Sequence, residues 1–82
     1  MRSDSEIAAQ LLDALEAAAD REAGQKTALV SVTIDMLTCA DAGSVNVSVT
    51  RKTKSLVFMS AHFISESGAR IATAASVHKL SA

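Results

Sequence analysis

One carboxylate stands inside an otherwise apolar run, Leu11-Leu12-Asp13-Ala14-Leu15. An aspartate held against a carbonyl can attack its carbon or activate a water to do so, and the developing oxyanion then needs donors nearby. A second group, Arg51, Lys52 and Lys54, suits phosphate, which arginine grips bidentately and lysine meets as a point charge. His62 and His78 have neither ligand spacing nor a cysteine partner, so they read as ordinary strand residues and imply no metal. Cys39, the single cysteine, excludes an internal disulfide; without an activating base it reads as structural. Phe58, Met59 and Phe63 would line an apolar pocket or, more simply, fill a core.

These residues must be positioned by few elements, because 82 residues make one small domain, taken as 1–82. From Asp4 to Ala23 there is no proline or glycine, and Ile7 is the only β-branched residue, which predicts a helix over 4–23. Ser3 and Glu6 have capping-box spacing, and Gly24 suits a left-handed C-cap. Ile7, Leu11, Leu15 and Ala18 share a face, with Ala8, Leu12 and Ala19 on its flank. Four segments of strand type follow, at about 29–38, 44–52, 55–65 and 70–80. In the first, Val30, Val32, Ile34 and Met36 point one way, and Ala40-Asp41-Ala42-Gly43 makes a turn. Clean alternation marks the second. The third is apolar on both faces and reads as the most buried. The fourth carries Ala72, Ala74 and Ser76, which let something approach closely. Short turns pair neighbouring strands antiparallel, as a meander. The expected fold is α+β, one helix on a four-stranded antiparallel sheet.

Placed on that helix, Asp13 lies nearly opposite the apolar centre, near Glu6, Glu16 and Asp20. One reading is an acidic stripe facing solvent. The other notes Ala9 and Ala17, one turn away on either side, which would let a second subunit close over the carboxylate. The basic trio is likewise open between a phosphate site and a solvated turn that discourages edge pairing.

Composition narrows the classes. The formal net charge is −1, so no global field draws nucleic acid or an anionic membrane, and no aromatic platform accompanies the basic residues. No stretch has the 18–20 or so apolar residues of a membrane span, and no continuous apolar signal region follows Met1, so a soluble cytoplasmic protein is expected. Yet 49% of residues are hydrophobic and only two are aromatic. Excess apolar surface and open sheet edges together argue for a homo-oligomer, a homodimer or homotetramer.

The order of parts, and the runs Ile7-Ala8-Ala9-Gln10-Leu11-Leu12-Asp13-Ala14, Val32-Thr33-Ile34-Asp35-Met36-Leu37, Ala42-Gly43, Arg51-Lys52-Thr53-Lys54-Ser55-Leu56 and Glu66-Ser67-Gly68-Ala69-Arg70-Ile71-Ala72-Thr73-Ala74, resemble the hotdog-fold acyl-CoA thioesterases that include the phenylacetic-acid degradation enzymes. The resemblance spans nearly the whole chain. It implies hydrolysis of an acyl-CoA or related acyl thioester at a subunit interface, without a cofactor. Asp13 would be the nucleophile or general base, amides near Ser5 and Glu6 would polarise the carbonyl, and Arg51, Lys52 and Lys54 would hold the CoA phosphates. The chain departs from the family twice. The family's strand before the helix has no counterpart, and Ser3-Asp4-Ser5 stands where the family has a histidine-glycine-glycine step. These departures favour the alternative, a non-catalytic remnant that binds an acyl ligand or serves only to oligomerise.

Overall fold

The computed structural model describes residues 4–38 and 43–80. Helix α1 spans Asp4–Ala23, as its composition predicts. It ends where Gly24 turns to φ 69° and the Gly24 amide donates to the Arg21 carbonyl at 3.3 Å. The strands are β1 (Thr27–Met36), β2 (Gly43–Lys52), β3 (Leu56–Ser65) and β4 (Arg70–Leu80). All but β1, which begins two residues early, lie within one residue of expectation. Ser3, Cys39 and Ala40–Ala42 fall outside the described residues.

The sheet runs β1-β4-β3-β2, antiparallel throughout. This corrects the simple meander. β2, β3 and β4 follow one another, but β1 pairs with β4, so the chain passes from one edge of the sheet to the other between Met36 and Gly43. Side-chain character explains the order. β3 is apolar on both faces and β4 is apolar or small, so burial places them centrally. β1 and β2 carry polar residues on their outward faces and take the edges.

Register then defines one covered face. Val57, Met59, Ala61 and Phe63 of β3 stand opposite His78, Ser76, Ala74 and Ala72 of β4. Ile7, Leu11, Leu15, Ala18 and Ala19 of α1 bury against them. What approaches the small residues of β4 is therefore the chain's own helix. Register shifts correct the alternation in three strands, and the one between Phe63 and Ile64 leaves Ile71 and Ala72 of β4 both buried. One between Leu29 and Ser31 turns Val30 out to 57% exposure, away from the face held by Val32, Ile34 and Met36. Another between Val49 and Arg51 breaks the alternation of β2 near its end. At the start of β2, a Cβ on Gly43 would press on the Ile64 carbonyl oxygen and lie 2.8 Å from the Phe63 ring.

Candidate functional site

Leu11 and Leu15 lock the inner face of α1 at 0% exposure, so the outer face is set by helical geometry. Asp13 lies there, exposed, with Ala9, Glu16 and Ala17, also exposed, one turn or less away. No element among the described residues covers it. Ser5 and Glu6 lie in the first turn, exposed. They stand 10–12 Å or so from Asp13 along the axis, at ~1.5 Å per residue. Within one copy, then, Asp13 and the Ser5–Glu6 amides do not adjoin.

The basic trio is divided. Arg51 pairs with Phe58 on the outward side of the sheet, and Lys52 pairs with Val57 on the helix side. The Lys52 Nζ donates to the Glu22 carbonyl at 2.9 Å, supplying a cation where the last helical carbonyls need one. Lys54 is exposed in the β2–β3 turn, which Thr53 closes by accepting the Leu56 amide on Oγ1 at 3.0 Å. Lys52 lies at the C-terminal end of α1, nine residues or about 14 Å along the axis from Asp13.

The three apolar candidates are likewise separated. Phe63 is fully buried in the core, and Phe58 is half-buried on the outward face. Met59 is on the floor of a cleft of about 240 Å³ between the last turns of α1 and edge strand β2, lined also by Ala18, Arg21, Glu22, Val47, Ser48 and Val49.

Two polar arrangements lie outside the sequence reading. Asp20 accepts the Thr27 hydroxyl at 2.7 Å and the Thr27 amide at 2.8 Å, clipping the end of α1 to the start of β1. Those bonds, the hydroxyl's first, hold its carboxyl below the usual range. Ser76 Oγ and His78 Nε2 stand 2.7 Å apart on the helix side of β4. That is the spacing of a nucleophile and its base. At 3% and 1% exposure, however, the pair lies in the core, with no route for a substrate. Among the described residues His78 Nδ1 has no partner, and burial pushes its pKa below the ordinary histidine value despite the opposing charges of Glu16 and Asp20. The available signal was period-two spacing on a strand, which any two alternate residues share. His62 stands on the outward face between Asn46 and Thr73. No group of three or more potential metal ligands occurs among the described residues.

No known protein-family profile and no curated protein matches the chain. Solved structures do. A Bacillus halodurans protein crystallised with CoA superposes with a TM-score of 0.86 over 96% of this chain, at 14% identity. A protein of the thioesterase superfamily superposes with a TM-score of 0.82 over 96% of the chain, at 15% identity. The fold is the hotdog fold. This chain spans 55% and 61% of the two neighbours' lengths. In this hotdog unit Asp13 lies on the side of the helix turned away from the sheet. No helix among the described residues is long and apolar enough to cross a membrane.

Proposed function

We propose that this chain hydrolyses acyl-CoA or a related acyl thioester at a site completed by a second copy, as a cytoplasmic protein. The supporting observation is the superposition, over nearly the whole chain, on a protein that holds CoA. Asp13 is the reactive group. As general base it takes a proton from water while the oxygen bonds to the acyl carbon. The tetrahedral oxyanion, held by amides near Ser5 and Glu6, then collapses, breaking the C–S bond and releasing carboxylic acid and a thiolate that takes the proton from Asp13. As nucleophile its oxygen bonds to the acyl carbon while the C–S bond breaks and thiolate leaves, and water then cleaves the resulting acyl anhydride to carboxylic acid and the free carboxylate of Asp13. Ser5 and Glu6 are about two turns from Asp13 on the same helix, so the donors and the carboxylate meet only if two helices face each other. Arg51, Lys52 and Lys54 meet the carrier's phosphates as separate contacts and not as one clamp, because Arg51 and Lys52 take opposite sides of the sheet.

The test is hydrolysis of a series of acyl-CoAs by wild type and Asp13→Asn, with oligomeric state measured by light scattering. Loss of turnover by about 100-fold or more in the variant, in an assembled protein, is the expected result. Equal rates would remove Asp13 from the mechanism. The non-catalytic reading draws on Ser3-Asp4-Ser5 at the helix entrance and on Lys52, already bonded to Glu22. It predicts either that acyl-CoA raises the melting temperature with no turnover at any acyl length, or that the chain oligomerises with neither stabilisation nor turnover.

A further inference from the structure

We propose that the end of the molecule where α1 terminates is a docking surface for an acidic protein that carries the acyl thioester on a long tether. The inference rests on the thioester reading and specifies the carrier.

Strand register shows which residues gather there. Thr27 pairs with Leu80, Ala28 and Leu56 both pair with Lys79, and Lys52 pairs with Val57. Lys26, Lys52, Lys79 and the turn bearing Lys54 therefore share one end of all four strands, with Arg51 one residue back. The bond from Lys52 to the Glu22 carbonyl brings the last turn of α1, with Arg21, to the same end. All six cations are exposed. The acids beside them are Asp20, occupied by Thr27, Glu22, and Glu16, whose charge reaches His78 next to Lys79. Asp4, Glu6, Asp35 and Glu66 lie toward the opposite end, against Arg70. A chain of formal charge −1 is thus strongly polarised along its 41 Å length.

The cations ring this end and do not converge. Arg51 and Lys79 lie on the outward side of the sheet, Lys52 on the helix side, and Lys26 and Lys54 outside the strands. They spread across three inter-strand spacings, about 14 Å. Four of the six are lysines, compact hydrated charges without the fork that grips one phosphate. A tightly held small anion needs donors closing from one concave wall, whereas divergent exposed charges steer a whole surface of opposite sign. A polynucleotide fits less well, since the chain has no tryptophan or tyrosine and neither phenylalanine is exposed. Asp13 is about 14 Å from this end along the helix. A carrier docked there delivers its thioester only on a tether of at least that reach.

The experiment uses the full chain and one acyl group on three carriers: a small acidic protein bearing phosphopantetheine, CoA, and pantetheine without phosphate. Wild type is compared with Lys26→Gln, Lys79→Glu and their combination, with folding checked by circular dichroism. The expected result is a fall in kcat/KM of about tenfold or more for the protein-borne thioester in the combined variant, and a comparable fall on raising salt from about 50 to about 300 mM. Acyl-pantetheine turnover stays unchanged. Unchanged turnover of the protein-borne thioester overturns the inference, as does an equal loss on CoA, which would assign the cations to nucleotide phosphate. If no thioester is hydrolysed, the thioester reading fails by itself. Docking is then read by fluorescence anisotropy of the labelled carrier protein without its acyl group, and binding indifferent to Lys79→Glu overturns it.

Discussion

His78 is 1% exposed, bonded through Nε2 to Ser76, and unpartnered at Nδ1. Charging the ring would place an imidazolium under α1, so the folded protein holds it neutral and its pKa lies below the ordinary 6.5. Its full contribution is therefore present above about pH 6.5. As pH falls below that value the unfolded chain takes up a proton that the folded chain refuses, and stability drops until the folded pKa is passed. Melting temperature is expected to decrease between about pH 7.5 and 5.5, and the decrease to shrink in His78→Gln. Asp20 acts in a separate, lower window, because its lowered pKa makes its contribution disappear only as the carboxylate protonates. Gly43 gives a sharper steric test. Alanine there must displace the Ile64 backbone or the Phe63 ring, so Gly43→Ala is expected to destabilise by about 1–3 kcal/mol in urea unfolding. Neither effect was legible in the sequence. A histidine at an alternate strand position and a glycine next to a turn are both commonplace, and only the packed partners distinguish them.

At the scale of elements the sequence was legible where one periodicity dominated. The apolar face of α1 fits the 3.6-residue period, and four of its five buried positions are Ile7, Leu11, Leu15 and Ala18, as the spacing implies, with Ala19 drawn in from the flank. Leu15→Ala removes a fully buried side chain between α1 and the sheet. It is expected to cost about 2–5 kcal/mol, read as a shift in the urea midpoint without loss of strand signal at low denaturant. Strand extents were legible for the same reason. Strand order was not, because period-two alternation says which face a residue takes and nothing about which strand lies beside it. The register shifts at Leu29–Ser31 and Val49–Arg51 were also hidden, and they have consequences. The first exposes Val30. The second lies just before Arg51 and Lys52, which take opposite sides of the sheet. Adjacency in sequence had made the basic trio look like one phosphate clamp, while the pleat sends neighbouring residues apart.

At the scale of the whole molecule, the open question of the helix carboxylate becomes one of assembly. The chain is small, and Leu29, Val30, Leu37 and Val49 remain at least 40% exposed. A unit this size buries only part of its apolar surface on folding, and exposed apolar patches are where a second chain would bind. The outer face of α1 offers Ala9 and Ala17 around Asp13, flat enough for close approach and without bulky cover of its own. Two helices meeting there would bring the first turn of one toward the middle of the other, which a single copy cannot do. Ala17→Arg tests this without touching the core, because position 17 is exposed and arginine is a good helix former. In a protein whose copies meet through this face, the added side chain is expected to shift the mass from oligomer to monomer in light scattering and to abolish thioester turnover, with the helical signal intact. If the oligomer and the turnover both persist, the helices do not face each other, and Asp13 belongs to the acidic outer stripe of a solvated helix. If the mass falls while turnover survives, the site is complete within one copy and the placement of the donors near Ser5 and Glu6 is wrong. The two readouts separate the geometry of assembly from the chemistry assigned to it, because hydrolysis depends on the distance between first turn and carboxylate, and mass only on whether the faces touch.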